Sequence, residues 1–472
     1  MTKLAPIRFG TDGWRAVIAQ DFTFANVERV AQAYASYLTK QAQLAGALVV
    51  VGYDRRFQSD KFAQRACQVL VGNGFRIALF PNDCPTPLIS WAVKVLQAVG
   101  GVVITASHNP FDFNGFKIKA PWGGSATPET TAKVEKLVDK STPQLAEVTS
   151  EGQELLGAAV ESYRQQIESY IDLERLRTAR GTVIVDPMHG AGGRWVEGFL
   201  SGGTLKVETI RADRDPLFGG VNPEPIDRNL SALKQRVLDS RAFLGLATDG
   251  DADRVGAVDE RGLTMTMHDV VPLLLLHLAR ERKMTGGVVR TFSQSILTKR
   301  IAAKLGLRLY ETPIGFKYIA DLMLNEDILI GAEESGGIGV KGHIPERDGI
   351  LNSLLFLEAV ITAGKPPSEM LRELHKEFGE FHFGRRDLQV DVSRGQELVN
   401  RLAQTPPSMF GGDEVAAVQT LDGTKLEFSD ESWLLFRQSG TEPVLRVYSE
   451  ATSVQKMNSL LDEGVALAAT VS

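Results

Sequence analysis

Two cysteines, Cys67 and Cys84, are all that the 472 residues contain. They cannot form a disulfide framework for a chain of this size, and neither sits in a metal-ligand spacing, so a reducing compartment is expected. Long apolar runs are missing too. The most hydrophobic helix-like stretch, Val270 to Ala279, is too short to span a bilayer, and the N-terminal MTKLAPIRFGTDGWR lacks the apolar core of a signal peptide. A cytoplasmic protein with no membrane partner is the expectation. Charge of one sign is also scarce, since 58 acids against 52 bases leave a net charge of −6. Nothing in that balance calls for nucleic acid, and an anionic small molecule would have to be drawn in by local Arg and Lys clusters. Glycine and proline, by contrast, are plentiful at 45 and 20, and with 43% apolar residues they describe a loop-rich α/β protein. A chain this long exceeds one hydrophobic core and should divide into three or four domains.

A cadence recurs along the chain. SWAVKVLQAVGGVVITASHNP runs from a helix-period segment through a short apolar strand into a polar loop, and SALKQRVLDSRAFLGLATDGDADR and KYIADLMLNEDILIGAEESGG do the same. The alternation of β and α predicts three similar α/β domains with mainly parallel sheets covered by helices. From about Glu377 the pattern changes to strands, FGRRDLQVDV, WLLFR and VLRVYSEA, with only two helical stretches, which predicts a small α+β domain. The expected domains are residues 1–150, 151–258, 259–376 and 377–472.

Each unit ends in a loop with chemical content. The run Val102-Val103-Ile104-Thr105 reads as a strand buried on both faces, so Ser107 would lie beyond its carboxyl end, where open α/β sheets collect their ligands. In TDGDADR the carboxylates of Asp249, Asp251 and Asp253 fall at every other position; in an extended segment they converge and repel unless a hard divalent cation such as Mg²⁺ holds them. A calcium EF-hand is excluded by Arg254, where that loop needs glycine, and by strand-like flanks. GAEESGG offers Glu333, Glu334 and Ser335, the groups that hold sugar hydroxyls. RQSGTEPVLR gathers Arg437, Arg446, Ser439, Thr441 and the backbone freed by Gly440 into a phosphate-binding set. A metal beside a serine, a phosphate cradle and a hydroxyl-binding loop together describe phosphoryl transfer on a sugar phosphate, with Ser107 as covalent carrier.

These four motifs, TASHNP, DGDADR, GAEESGG and RQSGTEP, preceded by FGTDGWR, resemble in identity and order those of the α-D-phosphohexomutases, the phosphoglucomutase and phosphomannomutase superfamily. The resemblance spans essentially the whole chain. It implies three α/β domains and a fourth, TATA-binding-protein-like domain around a central cleft. It makes Ser107 the phosphoserine and a metal ligand through its phosphoryl oxygen, with Asp249, Asp251 and Asp253 as the other Mg²⁺ ligands. It makes Glu333 and Ser335 sugar contacts, Arg437, Ser439, Gly440 and Thr441 the site of the phosphate not being transferred, and Lys317 a further substrate contact. The resemblance also places Arg15, Lys117 and Arg254 at positions flanking the transferring group.

The sugar loop departs from the pattern of many bacterial members, which carry histidine where this chain has Gly337. Its doubled acid looks more like the glucose-directed branch than the EMSGH of dual-specificity or the EQSGH of glucosamine enzymes. His343 in GHIPERDG is a candidate substrate contact from a neighbouring position or a residue that only supports the start of a helix. His108 looks like a base beside Ser107, but neighbours in an extended segment point apart, which favours a role in supporting the loop. Lys117 is read as a fixed charge or, if its pKa is lowered by burial, an acid or base. The expected activity is phosphoglucomutase, with mannose phosphates as candidate further substrates, using glucose 1,6-bisphosphate as intermediate and activator, in a monomer or homodimer. The same residues would serve a glucose 1,6-bisphosphate synthase, while a silent sugar-phosphate sensor is disfavoured by the intact Ser107 and aspartates.

Overall fold

The computed structural model describes residues 6–10, 12–42, 46–148, 152–439 and 443–470. The chain divides into two compact units, one of Met1–Met265 with Ser335–Pro367 and the other of Thr266–Glu334 with Ser368–Ser472. None of the described helices is long and apolar enough to cross a membrane.

The first unit holds two five-stranded mixed sheets. In the first, Leu48–Tyr53 pairs in parallel with Arg76–Leu79 and Gly100–Ile104, as the apolar runs predict. On its other side Gly100–Ile104 pairs antiparallel with Phe113–Lys119, which in turn pairs antiparallel with Trp14–Val17. The second sheet repeats this: Thr182–Asp186 is parallel to Lys206–Thr209 and Leu244–Thr248, and Val255–Asp259 returns antiparallel beside Leu244–Thr248. The expectation of mainly parallel sheets is corrected here, for the serine loop and the aspartate loop are each the tip of a hairpin. The return strand is as buried as the outgoing one, so periodicity alone did not show its direction. Helix Gly349–Ala363, almost wholly apolar, packs against Leu244–Thr248 and Val255–Asp259.

In the second unit Leu309–Thr312, Gly287–Thr291 and Ile328–Ala332 are parallel. The C-terminal part is a six-stranded antiparallel sheet in the order His382–Gln389, Val444–Ala451, Trp433–Gln438, Thr424–Phe428, Asp413–Gln419, Met409–Phe410. Helices Val392–Gln404 and Val454–Ala469 cover one face, burying Leu398, Leu402, Leu460 and Leu461 against Leu434, Phe436, Leu445 and Val447. This is the expected α+β arrangement. The three cadence segments also take the expected form, as helices Thr86–Val95, Ser231–Ser240 and Phe316–Asn325 each lead into a fully buried strand.

Candidate active site

Strand Gly100–Ile104 delivers the chain to Thr105, whose hydroxyl donates to Asp54 Oδ2 at 2.6 Å and accepts the Ser107 N–H at 2.9 Å. Ser107 itself has φ 51°, a left-handed conformation that costs a non-glycine residue of order 1–3 kcal/mol and persists only when its surroundings impose it. Arg56 does the imposing. Its guanidinium is fully buried, pairs with Asp54 and donates to the carbonyls of Ser107 and Asn109 at 2.7 Å each, Pro110 at 2.6 Å and Phe113 at 3.1 Å. Sequence reasoning passed over Arg56 because nothing in YDRR distinguishes it from a surface arginine. Removing one partner of such a buried pair leaves a charge and several carbonyls unsatisfied. Arg56→Ala is therefore expected to lower stability by about 3–5 kcal/mol, measured by urea denaturation; a variant of wild-type stability would show that the loop holds its shape without this clamp.

The serine hydroxyl, 1% exposed as a residue, donates to Asp249 Oδ2 at 2.7 Å. Asp249, Asp251 and Asp253 are fully buried and their ligand oxygens lie within 4.8 Å of one another. The convergence expected from an extended segment is present but made differently. The loop is a tight turn with Ala252 at φ 60°, in which Asp249 Oδ1 accepts the N–H groups of Asp253 and Arg254 at 3.0 and 3.1 Å. Gly250 lies so close to the Ser107 carbonyl that a Cβ there would collide with it. Burial, with repulsion from Asp251 and Asp253 added to it, pushes the Asp249 carboxyl well above the usual range. Asp251 Oδ1 and Asp253 Oδ1 are buried without a hydrogen-bond partner among the described residues. Three converging hard oxygen donors, two of them with an unused atom and one destabilised as an anion, fit a divalent cation such as Mg²⁺.

Cations ring this cluster. Lys117, set opposite Val103 by the hairpin register, places Nζ 2.8 Å from Asp251, 3.2 Å from Asp253 and 2.8 Å from Asp12. Burial alone would push the Lys117 ammonium down, but Asp12, Asp251 and Asp253 together outweigh it and hold the group above the usual lysine range. That favours the fixed charge over the acid or base. Arg15 donates to Asn109 Oδ1 at 2.6 Å, and the Arg254 Nε is 3.9 Å from Asp253. Two residues not singled out by sequence join them: Asp12, within the FGTDGWR signature, and Arg347, which bridges Asp12 at 2.7 Å and Asp253 at 2.9 Å. Asp12 could have been noted as the acid three residues before Arg15 in that signature, while Arg347 reaches this site only through the fold. His108 Nδ1 lies 3.4 Å from Ser107 Oγ. The two neighbouring side chains do not diverge as expected, because the left-handed turn at Ser107 ends the extended run. Burial, and after it the charges of Arg254, Arg15, Lys117 and Arg56, push the His108 imidazolium well below its usual range, leaving the ring neutral.

His343 is not an open contact. Its side chain is 1% exposed, stacks on Trp91 at 5.4 Å and pairs with Asp348 at 3.0 Å. Asp348 in turn caps helix Gly349–Ala363 through the Ile350 and Leu351 N–H groups, which gives His343 the helix-supporting position of the two expected.

In the second unit Glu333 and Glu334 follow strand Ile328–Ala332, with Glu334 Oε2 accepting the Ser293 hydroxyl at 2.7 Å. Ser335 begins the segment returning to the first unit and is half-buried. Lys317, half-buried in the first turn of helix Phe316–Asn325, lies 5.0 Å from the Tyr318 ring. Arg437 and Arg446 stand directly opposite one another on antiparallel strands, and Asp387 stands opposite Arg446 on the third strand. Arg437 donates to Asp422 Oδ2 at 2.9 Å, and the Ser439 N–H to the Val444 carbonyl at 2.9 Å. Gly440 and Thr441 lie outside the described residues.

Mixed α/β sheets, a C-terminal α+β domain and a buried serine on a carboxylate cluster are the features of a phosphohexomutase, an isomerase working by phosphoryl transfer. Models of the phosphoglucomutase/phosphomannomutase alpha/beta/alpha domains I, II and III match residues 6–145, 161–262 and 268–378, and that of the C-terminal domain matches 389–467. A "Phosphoglucomutase/phosphomannomutase" of Thermococcus kodakarensis is 31% identical over 97% of this chain and 98% of its own. A "Phosphoglucosamine/phosphogalactosamine mutase" of Sulfurisphaera tokodaii is 28% identical over 96% and 97%. A crystal structure assigned as a phosphomannomutase of Thermus thermophilus superposes with a TM-score of 0.86 at 38% identity, covering 98% of this chain and 99% of that one. The chain belongs to the phosphoglucomutase/phosphomannomutase family.

Proposed function

We propose that this phosphohexomutase interconverts glucose 1-phosphate and glucose 6-phosphate, accepting mannose phosphates as well, through a phosphoserine at Ser107 and a glucose 1,6-bisphosphate intermediate. The observation that carries the reading is the Ser107 hydroxyl seated on Asp249 within the three-aspartate cluster, with Lys117, Arg15 and Arg254 around it. In the first transfer the Ser107 Oγ–P bond breaks as the bond from O6 of glucose 1-phosphate to phosphorus forms. The O6 hydroxyl gives up its proton and the freed Ser107 Oγ takes one up, restoring its hydrogen bond to Asp249, so the proton count is unchanged. The bisphosphate reorients and the O1 phosphoryl group returns to Ser107. Asp249, Asp251, Asp253 and a phosphoserine oxygen would hold Mg²⁺, which when bound neutralises charge on the transferring group. Lys117, kept protonated by its three carboxylates, serves as a fixed positive charge beside that group. The opposed Arg437 and Arg446, with Ser439, form the cradle for the other phosphate, which must accept either end of the sugar and therefore reads phosphate alone.

Glucose preference rests on the doubled acid Glu333-Glu334, and the names of the relatives make glucosamine phosphate the competitor to beat. Initial rates with glucose, mannose and glucosamine 1-phosphates, each with and without glucose 1,6-bisphosphate, should give the highest kcat/KM for glucose 1-phosphate and stimulation by the bisphosphate. A higher kcat/KM for glucosamine 1-phosphate would replace the proposed substrate, and accumulation of free bisphosphate as the net product would make the enzyme a synthase.

A further inference from the structure

The C-terminal sheet has two unlike faces. On strands Trp433–Gln438 and Val444–Ala451, Leu434, Phe436, Leu445 and Val447 point into the helix-covered core. Strand alternation puts Trp433, Leu435, Arg437, Arg446, Tyr448 and Glu450 on the other face. Register sharpens this. Arg437 opposes Arg446, and on the neighbouring rung of the same face Leu435 opposes Tyr448, about 7 Å along the strand.

Tyr448 is fully buried, its ring packed with Phe292, Trp433 and Leu435 and stacked on Phe383 at 6.4 Å. Arg385, opposite Tyr448 on the third strand, holds its guanidinium 5.9 Å from the ring centre. The phenol oxygen nonetheless has no hydrogen-bond partner among the described residues. A buried hydroxyl without a partner is uncommon, and a ligand is one way such groups are satisfied. Glu334 of the sugar loop adds to the effect of burial on this phenol, while Arg385, Arg446 and Arg437 oppose it. Burial raises the phenol above its ordinary range, so it keeps its proton and acts as a donor.

We propose that Tyr448 is a ligand-binding residue whose phenol O–H donates to an oxygen of the substrate phosphate held between Arg437 and Arg446. This rests on reading those arginines as the cradle for the phosphate that is not being transferred. A phenol adds to the arginine pair a neutral donor of fixed direction, anchored by packing, at a site that has to seat the 1-phosphate and the 6-phosphate in the same place.

Tyr448→Phe is the test, because it keeps the ring and removes only the oxygen. One lost hydrogen bond to a charged acceptor should raise KM roughly tenfold or more. The rise should be alike for glucose 1-phosphate, glucose 6-phosphate and mannose 1-phosphate, with kcat nearly unchanged, as expected when ground state and transition state lose the same contact. The melting temperature should not fall. A purely structural tyrosine would move the melting temperature or the active fraction and leave KM alone, and unchanged KM values overturn the assignment. So does a rise confined to one sugar, which would set the phenol against the sugar ring. Arg437→Lys, measured alongside, separates the two inferences: if it raises KM while Tyr448→Phe does not, only the tyrosine is misassigned, and if neither does, the cradle itself is misplaced.

Discussion

Ser107→Ala is expected to reduce turnover to background, a fall of roughly a millionfold if it matches the loss of a covalent nucleophile in other enzymes. Without the oxygen there is nothing to store the phosphoryl group between the two transfers, and direct transfer within one sugar would have to span the ring. The fold should tolerate the change. Alanine enters the same left-handed backbone at similar cost, the clamp from Arg56 acts on carbonyl groups that remain, and the losses are the hydroxyl's bond to Asp249 Oδ2 and its 3.4 Å contact with His108 Nδ1. The melting temperature should therefore stay close to that of the parent. Mass spectrometry of the parent should find a phosphate on the peptide containing Ser107. Substantial mutase activity in the variant, together with an unmodified serine in the parent, would eliminate the phosphoserine mechanism.

The second large effect is expected from Asp251→Asn. Asp251 Oδ2 is already shared between Thr86 and Lys117, each at 2.8 Å, so the atom left for a metal is the unpartnered Oδ1. An amide can still accept from Thr86 but offers a hard cation no negative charge. Removal of outer-sphere partners alone costs metal sites about 10–100-fold in affinity, and the loss of a charged ligand should cost at least that much. The Mg²⁺ concentration for half-maximal activity should rise accordingly, with partial recovery at high Mg²⁺. Lys117 keeps Asp12 and Asp253 as partners, so its charge is not released and the lost activity should follow the metal titration. An unchanged Mg²⁺ dependence would mean that the acidic loop is only a turn.

Some of this was legible in residue order and some was not, for definite reasons. The buried strand Gly100–Ile104 could be read because burial on both faces demands an unbroken apolar run. The three carboxylates could be read because like charges so close together in sequence need a reason. The geometry that gathers them could not: the spacing suggested extended chain, whereas the structure uses a turn whose cross-bonds run from the N–H groups of Asp253 and Arg254 to Asp249. The preference for His108 as a loop support over a base rests on the same extended-chain assumption, which the φ of Ser107 removes.

Residue order carries local properties: the apolar period of each strand and helix, the polar loop after each of them, the charge carried by each loop, and through the order of its motifs the family. Those properties depend on residues within a turn or two of one another, where the chain geometry is nearly invariant. Which distant groups meet follows from the folded chain. Arg56 closes over the carbonyls of Ser107, Asn109, Pro110 and Phe113, Arg347 reaches Asp12 across most of the chain, and Tyr448 comes to pack with Phe292 and Phe383. These encounters are set by hairpin direction and strand register. A shift of one residue in register would turn each side chain to the opposite face while leaving the composition and the motifs as they are.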